Sequence, residues 1–244
     1  MSDGPQGWGR PLHEHVLAVT GVGPGTTLLD LGCGPGVFAR AAADRGAQVT
    51  GIDTDRHALA RAAATVPEAT FRVGEATDLD EPDGAFDVVV AMQLISHVPD
   101  PLRVLREAAR VGRLIAVTVW GREQECDVRV LGEALAPWLD QPLLTPSHVT
   151  DPARLLVLAE RAGLRVGRLD EVAVPFDYAD EDGLLGPLLA SGLGRAVARR
   201  ADPGTVRAAV LDRLSPYRTD AAGYRLTNVF RVLVARPASP AFPA

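Results

Sequence analysis

Three alternating glycines, Gly32, Gly34 and Gly36, with Asp30 just ahead of them and Asp53 further on, are the residues of this 244-residue chain whose types and spacing point most directly to chemistry. Glycine is needed where the backbone takes a positive φ or approaches a ligand with no Cβ in the way. A helix start directly after such a turn offers N–H groups that lack an intrahelical partner. Together these make a cradle shaped for a nucleotide. A dinucleotide turn reads GxGxxG, whereas here the pattern is GxGxG and position 37 is Val. Asp30, two residues before the first glycine, would repel a pyrophosphate, so the turn suits a cationic or zwitterionic nucleoside. Asp53 follows Gly32 by 21 residues, at the end of the apolar run from Ala47. A carboxylate at the tip of a second strand is placed to accept hydrogen bonds from both ribose hydroxyls. Thr54 or Asp55 can cap the helix that follows, which leaves Asp53 for the ligand.

The elements that must position these residues can be read around them. Leu28 to Leu31 is a buried strand, and Val37-Phe38-Ala39-Arg40-Ala41-Ala42-Ala43 is a helix expected to run on to a glycine cap at Gly46. Further strands are expected near Thr70 to Val73, Phe86 to Ala91 and Leu114 to Val119, the third and fourth separated by an acidic, turn-rich loop. Asp100-Pro101 and Asp151-Pro152 are helix starts, with Asp capping and Pro in the first turn. Two more strands are expected within Val166 to Phe176 and near Arg225 to Val234, and the SPAFPA tail is too short and Pro-rich to fold. Alternating strands and helices imply an α/β fold, whose ligands bind outside the carboxyl ends of the strands. The fourth strand ends at Met92 and Gln93, which should therefore line the reaction centre.

The segment LLDLGCGPG is similar to the first motif of the class I S-adenosylmethionine-dependent methyltransferases, and the ordered motifs from Leu28 to Val119 extend the resemblance. It implies a Rossmann-like seven-stranded sheet, mostly parallel with an antiparallel last strand, helices on both faces and a helical lid. It implies S-adenosylmethionine as cofactor and S-adenosylhomocysteine as product. The turn (Asp30, Gly32, Cys33, Gly34, Gly36), with Asp53 and Thr54, would hold the nucleoside and amino-acid parts. Glu75 would accept from the adenine amine and the Ala76 N–H would donate to the ring, although the family more often has Asp at the first position. Residues 1–25 would form a cap over the cofactor, from which Arg10 would meet its carboxylate.

The resemblance also narrows the subclass. The AMQL stretch lacks the (Asp/Asn)-Pro-Pro-aromatic motif of base-modifying amino-methyltransferases, and LIAVTVWG lacks the acids of a metal-dependent catechol-type enzyme. No Cys/His/Asp cluster has metal-ligand spacing, so no metal is expected. His97, after the fourth strand, and His148, in the 121–150 insertion, are the candidate bases; His13 and His15 are alternatives, and His57 is expected to face solvent. Residues 121–150 and 179–222 read as substrate-lid insertions on a single domain whose cofactor half is 26–120. Leu184, Leu185, Leu188 and Leu189, with Tyr178, Tyr217 and Tyr224, would suit an apolar or aromatic small acceptor unless they are core. Arg195, Arg199 and Arg200 read as a solvated helix face or as a site for an acidic partner.

The totals set the outer bounds. A composition that is 47% hydrophobic supports a full α/β core, and a formal charge of −6 gives no reason to expect nucleic acid or an anionic membrane. The 25 basic residues are all Arg, which reads as coding bias. Two cysteines, Cys33 and Cys126, form no disulfide framework, and neither a leader pattern nor a long apolar span is present. The expectation is a soluble, unprocessed cytoplasmic protein, monomer or homodimer, that methylates an O, N or C nucleophile of a small molecule. The alternative is a protein of the same fold that binds the cofactor without transferring methyl, either a cyclase or a regulatory module. A nicotinamide-dependent dehydrogenase is disfavoured by Val37 and Asp30.

Overall fold

The computed structural model describes residues 5, 7–139 and 148–238. Residues 140–147, within the expected 121–150 insertion, and the SPAFPA tail lie outside the described residues.

After helix α1 (Arg10–Thr20), strands and helices alternate: β1 (Thr27–Leu31), α2 (Val37–Ala43), β2 (Gln48–Asp53), α3 (Arg56–Thr65), β3 (Thr70–Val73), β4 (Phe86–Met92), α4 (Pro101–Val111) and β5 (Gly112–Trp120). Then come α5 (Arg129–Leu135), α6 (Pro152–Arg161), β6 (Leu164–Tyr178), α7 (Glu181–Ala190), α8 (Gly192–Ala198), α9 (Pro203–Leu214) and β7 (Tyr224–Pro237). The seven strands form one sheet in the order β3-β2-β1-β4-β5-β7-β6. The order reverses at β1, which pairs in parallel with β2 on one side and β4 on the other. That switch point is where an open α/β sheet binds ligands. β7 inserts antiparallel beside β5, from Ile115 against Ala235 to Trp120 against Phe230. The Rossmann-like sheet with an antiparallel last strand is thus the fold the sequence implied.

Local chemistry sets the boundaries. Asp55, Asp100 and Asp151 each accept from a backbone N–H in the first turn of α3, α4 and α6, satisfying donors that helix starts leave over. The helix after the glycine turn is shorter than expected: α2 ends at Ala43, and Gly46, at φ +82°, comes after it rather than capping it directly. The Gly46 N–H still donates to the Ala43 carbonyl, so the chain turns back in a tight non-helical step.

By its internal contacts the chain divides into two compact units. One comprises Leu12–Trp120, Ser147–Val172 and Phe230–Ala244. Its core lies where Val89 and Ala91 of β4 and Ile115, Val117 and Val119 of β5 meet Val104, Leu105 and Ala108 of α4 and Leu155 and Ala159 of α6, all buried. Each of the Val, Leu and Ile side chains among them contributes about 1.5–3 kcal/mol of burial. The other unit comprises Met1–Pro11, Gly121–Pro146 and Ala173–Val229. It holds α5 and α7 to α9, with Leu184, Leu185, Leu188, Val206, Val210 and Leu214 buried. Asp180, Ser191 and Asp202 cap its three later helices.

Candidate cofactor site at the switch point

The glycine turn is fixed from both sides. Gly32, Gly34 and Gly36 have φ of +68°, +52° and +82°, a region that costs L side chains roughly 1–2 kcal/mol. Two of them are also sterically locked: a Cβ on Gly32 would lie 2.7 Å from Leu94 Cδ1, and one on Gly36 would lie 2.9 Å from Ala62 Cβ. Nothing lies within 4 Å of a Cβ built on Gly34. Its open side is where a ligand can approach the backbone. Cys33 is buried within the turn, where its sulfur would lie 2.8 Å from a Cβ on Gly51, and burial followed by the charges of Asp30 and Asp53 pushes its thiol up, so it packs as a neutral group.

Asp53 ends β2 and does more than wait for a ribose. One carboxylate oxygen accepts from the Gly34 N–H at 2.8 Å and the other from the Asp55 N–H at 2.9 Å, so it latches the glycine turn to the second strand. Each oxygen keeps a second lone pair for a ligand hydroxyl. Thr54 is exposed beside it, and Asp55 is the residue that caps α3.

Asp30 is 1% exposed, and neither of its oxygens has a hydrogen-bond partner. Burial, with the Asp53 charge adding to it, pushes its pKa up to about 8. An unsatisfied buried carboxyl costs on the order of 1–3 kcal/mol or more, so this corner is built for a missing donor or cation.

At the end of β4, Gln93 takes φ +56°, rare for a residue with a side chain. Its own N–H and its Nε2 both donate to the Thr118 hydroxyl, at 3.0 and 2.9 Å, while Thr118 Oγ1 lies 3.8 Å from Met92 Sδ. Gln93 Oε1 is buried without a partner. Thr118, fully buried on β5, is a site residue the sequence reading missed; the sign was a hydroxyl in the middle of the apolar run LIAVTVW.

The remaining candidates are placed as follows. Glu75 is exposed in a bridge with Asp78, next to half-buried Ala76, and the Gly74 N–H donates to the Asp53 carbonyl, which brings the β3 tip to the β2 tip. His97 is exposed on the loop after β4. His148 begins a short 3-10 turn, and its side chain lies outside what is described. His13 is largely buried, edge-on to Phe38 at 5.6 Å, and burial lowers its pKa to about 4. His15 pairs with Asp170 at 2.8 Å, and His57 is exposed. Arg10 is exposed at the start of α1. In the other unit Leu184, Leu185 and Leu188 are buried, while Arg195, Arg199 and Arg200 lie on an exposed face. Among the described residues, no group of three or more His, Cys, Asp or Glu side chains is arranged to hold a metal ion, and no helix is long and apolar enough to cross a membrane.

Comparison with known proteins agrees with this geometry. Residues 29–114 match a methyltransferase domain family. The chain is 38% identical over 121 residues to a ubiquinone biosynthesis O-methyltransferase of Alkalilimnicola ehrlichii, a match covering 44% of this chain and 48% of the relative. The chain thus spans about half the length of the curated relatives it matches. Among solved structures, it resembles the [4+2]-cyclase SpnF at 26% identity with a TM-score of 0.60, over 92% of this chain and 80% of that one. It also resembles the Haemonchus contortus phosphoethanolamine N-methyltransferase 2 bound to S-adenosylhomocysteine, at 19% identity and TM-score 0.59, over 97% of this chain and 54% of that one. The matched segment holds the switch point, the glycine turn, the Asp53 latch and the end of β4, so the likeness to methyltransferases falls on the candidate cofactor site.

Proposed function

We propose that this protein is an S-adenosylmethionine-dependent methyltransferase that acts on an O, N or C nucleophile of a small, apolar or aromatic acceptor without using a metal. The observation that carries the reading is the partnerless, buried Asp30 carboxyl within the field of Asp53, whose carboxylate in turn latches the open-sided Gly34. The residues fit the cofactor: a buried acid that lacks a cation, a second acid with lone pairs free for ribose hydroxyls, and a glycine with room for close backbone approach. Glu75 and Ala76 would take the adenine, Cys33 and Thr54 would border the ribose, and Arg10 would meet the carboxylate. When bound, S-adenosylmethionine supplies a methyl group activated by its sulfonium. This chain's residues hold and shield that group: Met92 and Gln93, fixed by Thr118, form the β4 end, and the free Gln93 Oε1 accepts from a ligand donor. Positioning of this kind contributes on the order of 7–11 kcal/mol in favourable cases, so a base is needed only where the acceptor is protonated at neutral pH. His97 and His148 are the candidates for that step.

Segments 121–150 and 179–222 would decide which acceptor is taken, since the matched family segment does not include them. Cys33 and Cys126, both buried and outside any disulfide, suit a reducing cytoplasm, and the net charge of −6 suits a small acceptor rather than nucleic acid. The oligomeric state would be a monomer or homodimer. Mass spectrometry of products from a panel of phenol, amine and carboxylate acceptors tests the proposal, with methylated product and S-adenosylhomocysteine expected in equal amounts. A cyclase is the second reading, favoured by the likeness to SpnF over most of the chain. A rearranged product formed with no S-adenosylhomocysteine would replace the first reading with the second.

A further inference from the structure

We propose that Asp30 is a proton-exchanging counter-ion: it carries a proton in the ligand-free protein and gives it up to solvent when a cationic group of the cofactor enters the corner, so that binding releases a proton and selects for positive charge. The inference rests on the cofactor reading above and adds a proton to it.

The geometry carries the argument. Asp30 belongs to a strand whose neighbours in register are Gly51 of β2 and Val90 of β4, so no charged group flanks it across the sheet. It is 1% exposed with both oxygens unpartnered, which leaves neither water nor a donor to stabilise a negative charge. The ionisable groups that bear on it are Asp53 from the tip of β2 and Cys33 from the turn. Asp53, which accepts from two backbone N–H groups, lies close enough to disfavour a charge on Asp30, and burial pushes the Cys33 thiol up so that it is neutral. From α1, His13 stays neutral down to about pH 4 and does not supply a cation. From the β4 end, Gln93 offers a neutral amide. Burial and Asp53 together hold the Asp30 carboxyl protonated up to about pH 8. A cationic ligand group reverses that balance: the O–H bond of Asp30 breaks, its proton passes to a buffer base, and the carboxylate pairs with the ligand.

Three ligands separate the sources of charge. S-adenosylmethionine carries a sulfonium and an ammonium, S-adenosylhomocysteine an ammonium only, and 5′-methylthioadenosine neither. Calorimetric titrations at pH 6.5 in buffers of different ionisation enthalpy count the protons exchanged. About one proton released per S-adenosylmethionine bound is expected, with none for 5′-methylthioadenosine. Release with S-adenosylhomocysteine as well assigns the ammonium to Asp30, and release with S-adenosylmethionine alone assigns the sulfonium; either supports the proposal. Affinity for S-adenosylmethionine should rise roughly tenfold per pH unit from pH 5.5 to 7.5, a range kept below the titration of the ligand's own amino group. The near-isosteric Asp30→Asn should abolish the release and flatten the pH profile while leaving 5′-methylthioadenosine affinity within about twofold. The wild-type pH series decides the matter on its own if that variant fails to fold. Binding with no proton released, or release unchanged in Asp30→Asn, overturns the Asp30 assignment and leaves the cofactor reading standing. No binding of S-adenosylmethionine at pH 7.5 removes the cofactor reading itself, and this inference with it.

Discussion

Carboxylates are treated in opposite ways in two parts of this molecule. In the unit that holds α5 and α7 to α9, acids meet arginines: Glu181 and Asp182 share Arg207 at 2.9 and 3.1 Å, Asp177 meets Arg225 at 2.6 Å, and Glu133 meets Arg213 at 3.3 Å. At the switch point the chain has placed Asp53 close enough to Asp30 for its charge to raise the cost of ionising Asp30, and among the described residues no arginine is paired with that carboxyl. A protein with 25 arginines had cations to spare. The paired acids sit at the surface, where an ion pair contributes between about 0 and 1 kcal/mol. Asp30 is buried, where a missing partner is costly. The contrast teaches that the expensive arrangement is the one kept for a ligand.

Substitutions can break that contrast, beginning with the largest effect. Asp53→Ala removes both the ribose acceptor and the latch on Gly34, and S-adenosylmethionine affinity measured by calorimetry should fall on the order of 100-fold; equal affinity would remove Asp53 from the site. Gly36→Ala meets Ala62 and a left-handed backbone, so the protein should lose about 2–3 kcal/mol in urea unfolding. Gly34→Ala has room for its methyl group, so it should cost only about 1 kcal/mol of stability yet weaken the cofactor strongly. A further measurement concerns His13, whose folded pKa of about 4 lies below the unfolded value of about 6.5. The unfolded chain binds a proton in this window and the native one does not, so stability falls as the pH drops from about 6.5 to 4. His13→Leu should remove roughly 2 kcal/mol of that acid loss, seen in thermal unfolding at pH 7 and pH 4.5. Smallest is Arg207→Ala, expected to cost less than about 1 kcal/mol and to leave cofactor affinity unchanged.

The legibility of the sequence follows the same division. The turn could be read because its glycines answer to backbone geometry: Gly32 and Gly36 have no alternative at their φ and their crowding. The caps at Asp100 and Asp151 could be read because Asp-Pro pairs act locally. The Asp53 latch was only half visible, since a bond to Gly34 depends on bringing two strand ends together. Gln93 could be placed at the end of β4, but its positive φ and its bond to Thr118 escaped, because a left-handed glutamine and a hydroxyl aimed across strands leave no trace in pattern or propensity. Ser191 was likewise unreadable inside GLLGPLLASGLG, where the structure ends α7 and caps α8 at the same residue.

The place of β7 has a consequence for how the chain is made. The edge of β5 is closed by Phe230 to Ala235, and its first partner, Phe230 opposite Trp120, emerges 110 residues after that tryptophan. At a synthesis rate of roughly 5–20 residues per second, the apolar edge from Ile115 to Trp120 waits about 5–20 s on the ribosome with its backbone groups unpaired. The parallel half of the sheet can assemble as it emerges, but its outer edge remains a sticky seam until residues 230–235 have been translated. Slowing translation within residues 121–229 should therefore lower the yield of folded protein more than slowing it before residue 112.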